Sequence, residues 1–248
     1  MDMNTGRRHF LKTCLIGAFS LPELLESAAE SSVPGTFSRT YDHGDVYEFN
    51  PGRVLVTGVV SRRGAPAGYF VDMIEDAFGD DYNPLLAVTG GFSTMQGGRV
   101  YSVGKIVVNQ SDLTPGIHEK DGWASFVFHR PEEGNTTAYI SSERGTGYTY
   151  RRGGLVHLLP ETRITGRGID PGNSCDRIAV GIKPDGNIIV HAGEMRAKDA
   201  AGRMNDYGCG QAALGDGDSF CFYHSWTGGG SRHPHATLKD AMVFLQHK

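Results

Sequence analysis

No apolar run in the 248-residue chain approaches the roughly 20 residues of a bilayer-spanning helix, so no stable membrane insertion of a mature chain is expected. An excess of one charge is missing too. Lys+Arg number 24 against 28 Asp+Glu, a net charge of −4, whereas a dedicated nucleic-acid binder carries a basic footprint. Cysteine is scarce at 4 residues, with no C-x-x-C and no His/Cys cluster at zinc spacing. No repeat of roughly 20–50 residues recurs, and no interdomain linker divides the chain. The chain is nonetheless 39% hydrophobic and only 21% charged, which excludes wholesale disorder. Glycine is the abundant residue: 35 of 248, about twice the usual share of roughly 7%. The glycines fall between apolar runs without a collagen-like period, a pattern of tight turns and a loop-built site.

The first 29 residues read as an address. Gly6-Arg7-Arg8-His9-Phe10-Leu11-Lys12 is a twin-arginine export pattern, followed by a short apolar run from Cys14 to Leu21. The alternative, a basic start to a surface helix, leaves the Phe-Leu-Lys tail unexplained. Ser27-Ala28-Ala29 presents small residues for cleavage after Ala29. The expected partner is therefore the twin-arginine export machinery, and the expected location is periplasmic or secreted. Removing residues 1–29 takes away Cys14 and leaves Cys175, Cys209 and Cys221, room for one bridge and a spare thiol. Cys209 and Cys221 flank a short glycine-rich loop and are the favoured pair, the pairing itself staying open.

An extended segment over 30–45 leads into the Val-rich strand Arg53 to Ser61, and residues 30–65 are read together as an N-terminal segment and first strand. Phe70, Met73, Ile74, Ala77 and Phe78 recur at i, i+3, i+4, i+7 and i+8, predicting an amphipathic helix from Gly68 to Phe78. A strand at Leu85 to Val88 runs into Thr89-Gly90-Gly91-Phe92. A strand pair is expected at Val100 to Val103 and Lys105 to Asn109. Further strands are expected at Ala124 to His129, Thr137 to Ser141 and Leu155 to Leu159. A hairpin of Ile178 to Ile182 and Asn187 to His191 turns at Lys183-Pro184-Asp185-Gly186. A helix from Met195 to Tyr207 stops at Gly208. Then come a strand at Gln211 to Leu214, a loop at Gly215 to Asp218, and strands at Ser219 to Trp226 and Ala241 to Gln246. The fold class is α+β: a single domain of mixed or antiparallel sheet with two or more packed helices, and glycine-rich loops forming a central cleft.

The segments Leu86–Ser93, Val103–Asn109, Gly153–Val156, Arg177–Val190 and Ala213–Ser219, in that order, resemble motifs of the phosphodiester glycosidase family, a resemblance taken to span residues 66–248. The best-known member of the family removes N-acetylglucosamine from a phosphodiester. Leu86-Ala87-Val88-Thr89-Gly90-Gly91-Phe92-Ser93 is similar to its A-x-N-G-G-F-F segment, and Val103-Gly104-Lys105-Ile106-Val107-Val108-Asn109 to its V-G-x-x-V-x-x-G segment. Gly153-Gly154-Leu155-Val156 is similar to G-G-P-x-L-V. Arg177 to Ile182 with Asp185 to Val190 resembles the family's R-T-A-I-G hairpin. Ala213-Leu214-Gly215-Asp216-Gly217-Asp218-Ser219 stands where the family has A-L-N-L-D-G-G-G-S. The departures are Thr89 for Asn, Ser93 for the second aromatic, and the altered order of Gly and Asp in the last loop.

The resemblance implies a hydrolase of a glycosyl-phosphodiester or related glycosidic bond, acting on a small-molecule or glycan substrate. The alternative is a catalytically degenerate glycan- or polyanion-binding envelope protein on the same fold. Such chemistry needs a phosphate grip, a proton carrier and a groove for the sugar. Arg177 offers a bidentate fork for phosphate, or else an ion pair with Asp176 or another carboxylate. Gly90, Gly91 and Gly217 offer backbone N–H groups free of Cβ interference, or tight strand exits. Asp216 and Asp218 supply the two carboxyl groups of glycosidic acid/base work, or cap neighbouring amides. Ser219 and Thr89 could hydrogen-bond substrate. His191 and Glu194 are candidate proton carriers near the hairpin's end. Tyr82, Trp123 and Tyr148 are candidate sugar platforms, with core packing the default. His224, His233 and His235 lack the scaffold of a metal site. No metal site and no cofactor are expected, with a divalent cation left open.

Overall fold

The computed structural model describes residues 37–41, 44–114, 123–142, 148–164 and 169–248. The expected export signal and its cleavage point lie outside the described residues. In chain order the first elements are β1 (Phe37–Tyr41), β2 (Gly44–Phe49), β3 (Leu55–Ala65), α1 (Ala67–Phe78) and β4 (Tyr82–Val88). Short strands follow: β5 (Ser93–Gln96), β6 (Arg99–Ser102), β7 (Ile106–Val108), β8 (Ser111–Thr114), β9 (Trp123–His129) and β10 (Thr137–Ser141). The last group is β11 (Tyr150–Leu159), β12 (Ser174–Ile182), β13 (Ile188–Arg196), α2 (Ala197–Asp206), β14 (Gln211–Gly217), β15 (Tyr223–Ser225) and β16 (Leu238–His247).

All but two of these strands make two stacked sheets, β5 and β6 forming a separate two-stranded pair, and every described pair is antiparallel. The larger runs β1-β2-β13-β12-β14-β11-β7-β8, with β9 on the other edge of β11 and β10 beyond it. The smaller runs β15-β4-β16-β3. Their facing side chains interlock: Phe49 of β2 stacks on Phe244 of β16 with centroids 4.4 Å apart. Gly58 of β3 lies under the Tyr150 ring so closely that a Cβ would come within 2.7 Å of it.

Each helix covers one outer face. The α1 stripe buries Ala67, Phe70, Met73, Ile74 and Phe78 against the smaller sheet, as the apolar spacing predicts. On α2, Ala197, Ala200 and Met204 are buried against β11 to β14. That helix starts at Ala197 because Met195 still pairs with Cys175 in the β12–β13 ladder. The result is a four-layer α/β/β/α stack. The segment from 44 to 65 is part of it, β2 lying inside the larger sheet and β3 along the smaller.

Three expectations change. The strands around 100–109 exist but do not pair with each other: β6 pairs with β5, and β7 with β8 and β11. Gly104, at φ +78°, turns the chain between them, pressed against Gly154. The loop expected at 215–218 is mostly strand, because β14 runs on to Gly217 beside Arg177. Only Asp218–Phe220 leaves it, as a single 3₁₀ turn, and the strand expected at 219–226 shrinks to β15. Finally, Cys209 and Cys221 are both free thiols. Cys209 belongs to the core under α2 and Cys221 to the core between the sheets, and burial pushes both thiol pKa values up.

Candidate functional site

Two chain segments more than a hundred residues apart meet where β4 and β14 end. Thr89 is the first tie. Its Oγ1 donates to the Phe220 carbonyl (2.7 Å) and accepts the Phe222 N–H (2.8 Å), while its own N–H donates to the Phe222 carbonyl (2.8 Å). Asp216 is the second: its Oδ2 accepts the Ser93 N–H at 2.8 Å and its Oδ1 the Gly217 N–H at 2.9 Å. Asp216 is only 7% exposed, and burial pushes its carboxyl pKa up to about 7 despite those two N–H donors.

Behind this junction lies an ion pair that the sequence reading did not single out. Arg152, fully buried, donates from Nε to Asp240 Oδ2 at 2.7 Å and from Nη2 to Oδ1 at 3.1 Å. Its Nη1 reaches the Val103 carbonyl at 2.8 Å and the Gly153 carbonyl, and Ser102 Oγ donates to Asp240 at 3.1 Å. Such a buried charge persists only because its hydrogen bonds are satisfied. Gly90 and Gly91 are glycine for this guanidinium: a Cβ on either would sit 2.9 Å from Arg152 atoms. Arg152 stands beside Arg151 and Asp240 beside Lys239, so nothing in the local sequence singles out either one as a buried partner.

A cleft of about 630 Å³ opens beside the turn, lined by Asp218, Ser219, Arg232, His233, Pro234, His235 and Ala236. Asp218 sits at φ +54°, the left-handed region that an Asp tolerates better than most residues. Its carbonyl accepts from Arg232 Nη2 at 3.1 Å. Arg232 also pairs with Asp176, and its strand-like bridge to Tyr223 fixes it beside β15. His224 Nδ1 and His233 Nε2 lie 3.1 Å apart, next to Trp226, whose indole N–H donates to Glu75. Behind the glycine run, the Gly230 N–H donates to the buried Asp45 carboxylate. Among the described residues no group of three or more His, Cys, Asp or Glu side chains is arranged to hold a metal ion.

The sequence candidates therefore separate. Asp218 and Ser219 line the cleft, with Gly217 and Asp216 directly before them. Arg177 lies beneath Gly217, 5% exposed, its Nε donating to the Met195 carbonyl at 3.2 Å; it supports the turn and does not pair with Asp176. Thr89 is 2% exposed, with its hydroxyl engaged inside the protein. His191 has no exposed surface and stacks on Tyr207, its Nδ1 3.2 Å from the phenol. Glu194 is exposed and accepts from Ser174 at 2.8 Å. Trp123 packs on Phe92, and Tyr82 lies between Phe78 and His247. Arg232 was not among the sequence candidates; its only signal was a cation in Ser231-Arg232-His233-Pro234-His235.

No family model and no curated protein matches this sequence. Solved structures do match. The catalytic domain of zebrafish N-acetylglucosamine-1-phosphodiester alpha-N-acetylglucosaminidase, auto-inhibited by its pro-peptide, superposes with a TM-score of 0.57 at 16% identity, over 90% of this chain and 85% of that one. A hypothetical protein from Synechocystis superposes at 0.53 and 12% identity, over 86% of this chain. This chain spans 61% of that protein's length. What is shared is the fold. The relationship is distant.

Proposed function

We propose that the chain is an exported hydrolase that cleaves a glycosyl-phosphodiester or related glycosidic bond in the cleft beside Asp218. The observation that carries this reading is the Ser93 N–H to Asp216 bond, which joins the two segments that resemble the family's motifs, directly before the residues Asp218 and Ser219 that line the cleft. Arg232 and Ser219 hold the phosphate, with the Gly217 turn propped from below by Arg177. Asp218, exposed at the wall, takes a proton from the attacking water as that water bonds to the anomeric carbon. The bond from that carbon to the phosphate oxygen breaks, and Asp216, protonated below about pH 7, is the proton source for the departing oxygen. The products are the free sugar and a phosphomonoester.

The degenerate-site reading draws on one observation of its own: both Asp216 oxygens already accept backbone N–H groups. A panel of GlcNAc-1-phosphodiesters and aryl glycosides separates the two. Sugar released by the wild type and lost in Asp216→Ala plus Asp218→Ala supports hydrolysis. Saturable glycan binding by calorimetry without product selects the binding module. The export part has its own readout: protein recovered from the periplasm or medium of a bacterial host should begin at Glu30, and a chain retaining Met1 there would contradict it.

A further inference from the structure

Ser61, Arg62 and Arg63 sit where β3, an edge strand, departs from its ladder. Val60 pairs with Asp240 and Ala65 with Leu238, so the four residues 61–64 stand opposite Lys239 alone. Such bulges re-aim side chains at a sheet edge. Gly64, at φ +83°, completes the bend against Thr237, where a Cβ would come within 2.5 Å of a methyl group. The chain then enters α1 through Pro66.

The bend and the first turn of α1 enclose a cleft of about 590 Å³ lined by Ser61, Arg62, Arg63, Gly64, Ala65, Pro66 and Tyr69. Four independent features of this cleft favour an anion. The α1 N-terminus has no side-chain cap and no acidic residue in its first turn, so its partial positive charge is uncompensated. Gly68 has nothing within 4 Å of its Cβ position, leaving the backbone approachable. Arg62 and Arg63 are exposed and have no carboxylate partner among the described residues. Ser61 is 5% exposed, yet its hydroxyl makes no hydrogen bond among the described residues while lining the cleft. A third cation is near, since Lys239 Nζ donates to the Arg62 carbonyl at 2.6 Å. The whole chain carries −4, so this concentration of positive charge is local.

We propose that this cleft is a second anion site that takes a phosphate-class oxyanion, bound by the Arg62 and Arg63 guanidinium groups, the Ser61 hydroxyl and the first N–H groups of α1. It is separate from the cleft beside Asp218 and stands whether or not that cleft is hydrolytic. The same chemistry serves a phosphate on a soluble molecule or on a lipid headgroup.

The test uses the mature chain carrying Arg232→Ala, which weakens anion binding in the other cleft. Inorganic phosphate is titrated calorimetrically, and co-sedimentation is measured with phosphatidic acid vesicles against neutral phosphatidylcholine vesicles. Adding Arg62→Ala and Arg63→Ala should weaken phosphate binding at least tenfold, and Ser61→Ala several-fold, with melting temperatures unchanged for the exposed pair. Phosphate binding lost in this way assigns a soluble phosphate. Vesicle binding alone lost in this way assigns a headgroup. Binding of both probes that is indifferent to the arginines would show that they only guard the sheet edge and would overturn the site, as would no binding of either probe.

Discussion

Asp216 is the buried carboxyl group on which the proposed chemistry rests. Burial raises its pKa from the ordinary carboxylate value to about 7, so the folded chain holds a proton that the unfolded chain has released. The contribution of this group to stability is therefore greatest below about pH 4 and falls as the pH rises to about 7, by on the order of 4 kcal/mol at most. Asp216→Asn keeps an acceptor oxygen and carries no charge. Its melting temperature should exceed that of the wild type at pH 8 and approach it at pH 4 to 5; parallel thermal melts across that range check the difference. Among the described residues Arg152 and Asp240 are compensated by each other and by carbonyl or hydroxyl partners. Arg152→Met, which strands Asp240, should cost about 3–5 kcal/mol in denaturant unfolding, and a compensating Asp240→Leu should recover part of it.

Gly154 shows how the elements hold these residues in place. At φ +71°, its Cβ position falls on the Val103 carbonyl, and its own carbonyl accepts the Phe92 N–H at 3.0 Å. It thus locks the β6–β7 connection to the segment carrying Gly90 and Gly91. Gly154→Ala should destabilise the fold by at least about 2 kcal/mol, read by urea unfolding. The same element logic shows what sequence could reveal. The α1 stripe and the β12–β13 hairpin were legible because local periodicity and a Pro-Asp-Gly turn determine them. The partners of β6 and β7 were not, because pairing is chosen by Gly104 meeting a glycine some fifty residues away. Arg177 looked like a phosphate grip and proved to be a prop, because β14 extends three residues further than its apolar pattern and covers it with Gly217.

The stacking of the two sheets is what turns scattered motifs into a site. Thr89 follows the last residue of β4 in the smaller sheet and Asp216 stands near the end of β14 in the larger, and the hydrogen bonds between their segments close the seam beside the cleft. Arg152 to Asp240 spans the same seam, joining β11 to β16. The long-range partners Arg152, Asp240 and Arg232 were invisible in sequence for that reason: each acquires meaning only across the seam. The similarity of fold to a glycosidase catalytic domain extends over 90% of the chain, and the proposed hydrolysis rests on the carboxyl groups at the turn. The most direct measurement is kcat/KM for sugar release from a GlcNAc-1-phosphodiester between pH 5 and 9, for the wild type and Asp216→Asn. The account predicts wild-type activity that declines with an inflection near pH 7, and a variant slower by roughly 10²–10⁴ that lacks the inflection. Release by the variant equal to that of the wild type, or no release by the wild type at any pH, would contradict it.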